Sequence, residues 1–157
     1  MSNVYLWLKC LHVLGVVMFL GNIIITGWWK FMADKTLNPQ VIAFAQRQVT
    51  LTDFIFTAGG AALVFACGYG NAVLHGLDVF HIKWLSWGFW LFSISGVIWV
   101  VVLIPVQIRQ ARLARVFANG GEIPQEYWRL GRLWYFWGTI ATLLPVANLY
   151  WMVLKPL

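Results

Sequence analysis

Four stretches of the chain, residues 4–29, 54–74, 84–106 and 133–154, are almost free of charge and strongly apolar. Each reaches the length of about 20 residues that an α-helix needs to cross about 30 Å of hydrocarbon. Together they make up most of the 157 residues, so the expected fold is all-α: a four-helix transmembrane bundle forming a single integral membrane domain over residues 1–157. Composition agrees, because only 10% of residues are charged and 61% are hydrophobic, whereas a soluble domain carries about 25% charged residues. The connections leave no room for a separate soluble catalytic module. The first run has no basic segment before it, is too long for a signal-peptide core and precedes no small-residue cleavage site, so it reads as a retained helix.

The net charge of +6 is unevenly placed. Lys30, Lys35 and Arg47 fall in the first connection, and Arg109, Arg112, Arg115, Arg129 and Arg132 in the third; only Lys9, Lys83 and Lys155 fall at the other end. Such asymmetry is a topology signal rather than a nucleic-acid footprint. It predicts both termini on the non-cytoplasmic side, in the inner (plasma) membrane of a bacterium. Arg109, Arg112 and Arg115 recur every three residues along a helical continuation of the third run, as a solvated face near anionic headgroups would. Gly120 and Gly121 end that helix, and Pro124 starts a short segment with Glu126 in its first turn.

Ionisable and polar groups inside a span are costly and mark the bundle interior. In the first run Lys9, His12, Gly15, Phe19, Asn22 and Thr26 fall on one helical stripe. Such a stripe packs helices closely and hydrogen-bonds them, and Lys9 can reach outward to the interface. His12 is the exception, because an imidazole at that depth can ligate haem iron through one nitrogen while the other donates a hydrogen bond. The remaining histidines, His75 and His81, flank Asp78 near the second connection, so all three fall in the same half of the bundle. They read either as loop histidines or, with Asp78, as part of a copper or zinc site; His75 is the candidate second haem ligand.

Asp53, preceded by Thr50 and Thr52, reads as the start of the second helix, its charge suiting the helix dipole, or as the partner of Arg47 or an arginine of the third connection. Residues 58–62, Ala-Gly-Gly-Ala-Ala, form a close-packing surface, and Gly138, Thr142, Pro145 and Asn148 give the fourth run a small, polar face. Cys10 and Cys67 read as small buried hydrophobes. Trp28, Trp29, Trp84, Trp87 and Trp134 lie near run ends and fit an interfacial belt. No Walker, GxSxG, HExxH or GxGxxG pattern occurs, which removes support for the common soluble-enzyme chemistries.

Several segments carry a family resemblance: Tyr5-Leu-Trp-Leu-Lys9-Cys-Leu-His12-Val-Leu-Gly, Asp53-Phe-Ile-Phe56-Thr, Pro105-Val-Gln107-Ile-Arg109, Arg132-Leu-Trp134-Tyr-Phe-Trp-Gly138 and Met152-Val-Leu-Lys155-Pro156. Across nearly the whole chain the sequence resembles the DUF2269 family of predicted integral membrane proteins, a likeness that implies architecture rather than activity. The first helix and the Lys-Pro ending are also similar to the HemJ-type protoporphyrinogen oxidases, which bind haem b through a first-helix histidine. That likeness implies His12 as the iron ligand; the middle helices depart from the HemJ pattern. CopD-type copper-handling membrane proteins are a more distant likeness resting on His75 and His81.

The sequence therefore suggests a cytochrome b-like membrane protein with haem b on His12, Lys9 near a propionate or substrate carboxylate, and electron transfer with a quinone or porphyrin-like partner. Whether it is an oxidoreductase is left open. The alternatives are a non-enzymatic small transporter or accessory subunit of a membrane complex, and thirdly a copper-handling protein. Partners expected besides the lipid bilayer are further copies of the chain or a larger membrane complex, not nucleic acid.

Overall fold

A computed structural model of the chain describes residues 3–155; Pro156, of the Lys-Pro ending, lies outside them. The described residues form six α-helices and no strand. Helix α1 spans Asn3–Lys35, α2 Pro39–Thr52, α3 Ala58–Leu74, α4 Lys83–Ile98, α5 Ile104–Phe117 and α6 Gln125–Leu154. A π-helical turn, Asp53–Thr57, fuses α2 to α3, and a second, Trp99–Leu103, fuses α4 to α5. Four long antiparallel rods result, each long and apolar enough to cross a membrane. Tyr5 and Lys155, near the two ends of the described residues, lie beside His75 and Trp84 at one end of the bundle, with the basic connections at the other.

The rods are longer than the sequence runs predict. At 33 residues and about 1.5 Å of rise per residue, α1 is about 50 Å long against about 30 Å of hydrocarbon. The first connection is largely the helix α2, the helical continuation expected through Arg109, Arg112 and Arg115 is α5, and the segment after Pro124 is no short restart but the beginning of the 30-residue α6. The local causes are plain. Asn38 caps α2, its side chain accepting the amides of Gln40 and Val41, while Pro39 supplies a preset first helical residue. Ile42, Ala114, Phe117 and Tyr127 then build a small core at the basic end, which gives these helical extensions a face to bury.

Helix α1 packs chiefly on α3, and α6 on α4. The α1–α3 crossing depends on two facing glycines: a Cβ on Gly15 would lie 2.8 Å from the Gly60 carbonyl oxygen, and one on Gly60 would lie 2.7 Å from the Phe19 nitrogen. Of the expected close-packing surface 58–62, Gly60 makes the close approach, whereas a Cβ on Gly59 would meet nothing within 4 Å and Ala62 is exposed. On the other side Ser95 donates to the Ala141 carbonyl at 2.7 Å and Asn148 to the Gly88 carbonyl at 3.0 Å, tying α4 to α6. The predicted stripe of α1 is buried from Gly15 through Phe19, Asn22 and Thr26, and continues one turn further to Lys30 and Ala33. Lys9, at its beginning, is exposed.

Candidate functional site

The interior holds two neighbouring polar clusters. In the first, Asp53 is buried in the middle of a continuous helix, inside the π turn, rather than standing at a helix start. Asn22 donates to its Oδ1 at 3.0 Å and Thr57 donates to the same oxygen at 2.9 Å. The amide of Gln107 and the indole of Trp99 also face the carboxylate. The Gln107 oxygen is occupied by the Trp134 indole N–H at 3.2 Å, which turns its NH2 toward Asp53. Trp99 Nε1 is buried without a well-formed hydrogen bond of its own, so its approach to Asp53 is a loose one. The arginines proposed as partners do not reach Asp53: Arg109 pairs with Glu126, and Arg47 lies over the ring of Phe44.

The second cluster lies closer to the basic end and surrounds Lys30, only 1% exposed. Its amine donates to the Tyr127 hydroxyl at 2.7 Å and stands 3.4 Å from Asp34. Tyr135 donates to the same carboxylate oxygen, Oδ2, at 2.8 Å, while the Tyr127 hydroxyl lies within 3.2 Å of the other, Oδ1, and 3.3 Å of Gln46 Oε1. The rings of Tyr127, Trp134 and Tyr135 face the amine at 4.7, 5.9 and 5.9 Å. An ammonium deprived of water is thus compensated by one carboxylate and an aromatic cage.

Between α1 and α6, which touch sparsely, lies a half-open cavity of about 430 Å³. Asp53 and Thr57 from the first π turn and Trp99 and Leu103 from the second form its back. Thr26 and Ser95 add hydroxyls, Trp134 and Tyr135 form the wall toward the Lys30 cluster, and Gly138 leaves open space. Ile24, Trp28 and Leu143, on its rim, are exposed on the apolar outer surface, so the groove opens sideways toward lipid. Each π turn inserts a residue into its rod and redirects the following face, a distortion found often at functional sites. Here two of them meet at one cavity.

The histidines occupy other places. His12 is half-buried in the α1–α3 crossing, where its Nδ1 donates to the Val64 carbonyl at 2.8 Å. A Cβ on Gly68 would lie 2.9 Å from its Cε1, so the glycine makes room for the ring itself. His75 caps α3, directs Nδ1 to the Asn71 carbonyl of its own helix at 2.9 Å and packs edge-on to Tyr5 at 4.7 Å. Lys9 also lies over Tyr5, at 5.8 Å. His81 pairs with Asp78 at 2.8 Å in the exposed connection. There the Phe80 amide, followed by the His81 ring, holds the Asp78 carboxyl below the usual carboxylate range.

The structure does not bring His12 and His75 to the groove: neither lines it, and each directs its Nδ1 to a backbone carbonyl, His12 to Val64 and His75 to Asn71 of its own helix. Nor do His75, His81 and Asp78 complete a copper or zinc centre: among the described residues no group of three histidine, cysteine, aspartate or glutamate side chains could hold a metal ion. Two expectations are corrected. Trp134 is buried in the wall of the groove rather than placed in an interfacial belt, and Cys10 is exposed, unlike buried Cys67.

Sequence reading missed the Lys30 cluster and treated Lys30 as a topology charge. The available signal was the α1 stripe, which extended by four residues from Thr26 arrives at Lys30. Asp34, Gln46, Tyr127 and Tyr135 carry no comparable signal, because only the antiparallel arrangement of the rods brings them to the amine.

The fold and cavity define a class, a four-span integral membrane protein with a groove open to lipid. The family model for DUF2269, predicted integral membrane protein, matches residues 6–156, and the chain belongs to this family. Neither a curated protein nor a solved structure matches it.

Proposed function

We propose that the protein is a non-enzymatic membrane-embedded binding protein of the small-transporter class, which takes a lipophilic molecule from the bilayer into the groove between α1 and α6. The observation that carries this reading is the half-open cavity of about 430 Å³ whose back is made by both π turns. Pockets of about 300–1,000 Å³ with apolar walls and a few convergent polar groups are the usual form of small-molecule sites. The basic end, with eight of the 11 Lys and Arg residues, faces the cytoplasm in this reading, and the membrane is a bacterial inner membrane.

The test is equilibrium dialysis of an uncharged amphiphilic dye, N-phenyl-1-naphthylamine, against the protein in phosphatidylcholine nanodiscs. A saturable component above the lipid background is expected. It should vanish in Gly138→Trp, which fills the open space in the groove, while that variant remains folded by circular dichroism. Lack of saturable binding by the wild-type protein refutes the reading. The same preparation tests the haem proposal: a Soret band lost in His12→Ala would establish the cytochrome-like function instead, and metal analysis of His75→Ala and His81→Ala would do the same for copper.

A further inference from the structure

We infer that the molecule held in the groove is a lipophilic cation and that Asp53 is its countercharge. The inference rests on the groove reading and adds the ligand's chemical class. Each other described carboxylate away from the exposed Glu122 has a basic neighbour: Asp34 has the Lys30 ammonium, Glu126 the Arg109 guanidinium and Asp78 the His81 ring. Asp53 is 6% exposed, and no basic side chain pairs with it among the described residues. Its neighbours, Asn22, Thr57, Gln107 and Trp99, are neutral hydrogen-bonding groups.

Such donors fix the carboxylate's position without supplying charge. From the midpoint of the run 4–29 to Asn22, its direct partner, is about 8 Å along α1, so the site lies within the hydrocarbon. A carboxyl there is costly to ionise unless a cation meets it, so a cation in the groove and the ionised form of Asp53 stabilise one another. Asp53 lines the groove, and so do Phe19, Trp99, Trp134 and Tyr135. Aromatic faces attract a cation whose charge is spread over carbon, and do so more strongly away from water. The remainder of the groove is apolar and open to the bilayer, which suits the ligand's hydrocarbon part. The same site disfavours an anion, which would meet Asp53. It is also a poor site for a bare metal ion, which needs several strong oxygen ligands where the groove offers one carboxylate and hydroxyls, Thr26, Ser95, Thr139 and Thr142, that already donate to backbone carbonyls.

The experiment uses two ions of nearly identical shape and opposite charge, tetraphenylphosphonium and tetraphenylborate, in equilibrium dialysis with the full-length protein in phosphatidylcholine nanodiscs. The expected result is saturable binding of the phosphonium alone, weakened about tenfold or more in Asp53→Asn, since removing one partner of a desolvated charge pair is among the costlier changes at a binding site. Thr57→Val, which removes a neutral donor, should shift the affinity less than Asp53→Asn does. Equal binding of both ions, preference for the borate, or binding unaffected by Asp53→Asn overturns the cationic class. If the uncharged dye still binds saturably in those cases, the groove reading survives; if neither the dye nor either ion does, both fail. The comparison of the two ions on the wild-type protein decides the matter even if Asp53→Asn does not fold.

Discussion

Replacing Asp34 by Asn isolates what the ion pair at the basic end contributes. The substitution keeps the shape and an acceptor for the Tyr135 hydroxyl, but leaves the Lys30 ammonium, 1% exposed, with only aromatic faces and a phenol oxygen. At the observed 3.4 Å and an effective dielectric constant of about 20, the direct attraction is about 5 kcal/mol. Asp34 retains an 11% exposed edge and two tyrosine neighbours, so part of that attraction is screened and about 3 kcal/mol of destabilisation is expected on breaking the pair. Lys30→Met retains the aliphatic stem and removes the charge; with Asp34 still accepting from Tyr135, it should cost about 2 kcal/mol. The double variant leaves neither ion unpaired and should cost no more than about 2 kcal/mol, a coupling of about 3 kcal/mol. Reversible unfolding in mixed micelles of dodecyl maltoside and dodecyl sulfate, followed by circular dichroism, measures all three. Additivity of the single changes to within about 0.5 kcal/mol would refute the argument that the two charges compensate one another.

At the α1–α3 crossing, Gly60→Leu should destabilise the protein by about 3 kcal/mol or prevent its accumulation, because the added side chain meets the backbone of Gly15 and Phe19; a stability within about 0.5 kcal/mol of wild type in the same micelle assay would show that the helices can separate without cost. In the exposed connection, Asp78 has a depressed folded-state pKa, so its stabilising contacts with Phe80 and His81 are complete above the ordinary aspartate value of about 3.9 and are lost as pH falls through the lower folded value. The carboxyl carbon resonance of Asp78 should accordingly titrate below that of a model aspartate, and a midpoint at or above the model value would contradict the contacts.

The spans were legible because lipid demands long apolar helices, and the buried face of α1 from Gly15 to Thr26 was legible because the helical period sorts small and polar residues to one side. Two physical features defeated the sequence reading. Charge was taken to end three of the runs, yet Lys30, Arg47 and Arg132 lie within rods that extend past the hydrocarbon and pack on a core of their own. The π turns were also invisible, since no residue type demands one: Asp53 after Thr52 has the local chemistry of a helix start, and only the neighbouring rods make it a buried mid-helix carboxylate. His12 is a different case: its residue type suggests a metal ligand, and the structure adds the Val64 carbonyl that its Nδ1 meets and the space that Gly68 leaves for its ring.

The groove and the Lys30 cluster share a wall, and this bears on how the groove can communicate with the basic end. Tyr135 lines the cavity and donates to Asp34, while Trp134 lines it and holds Gln107, whose amide faces Asp53. These two residues are adjacent on α6, so a rotation or shift of that rod to admit a ligand moves both hydrogen bonds together. Helix α1 has the same double role, with Asn22 on Asp53 and Lys30 two turns further on in the aromatic cage. The two helices bordering the lateral opening are therefore each fastened at the basic end by the Lys30 network, and α1 is fastened to α3 by the Gly15–Gly60 crossing. Separation of α1 from α6 is least constrained between those attachments, at the level of Gly27 and Gly138, where added Cβ atoms would meet nothing within 4 Å. On the proposed groove reading, this is where the two rods leave most space for a ligand, at a level separate from the charged network that ties them at the basic end.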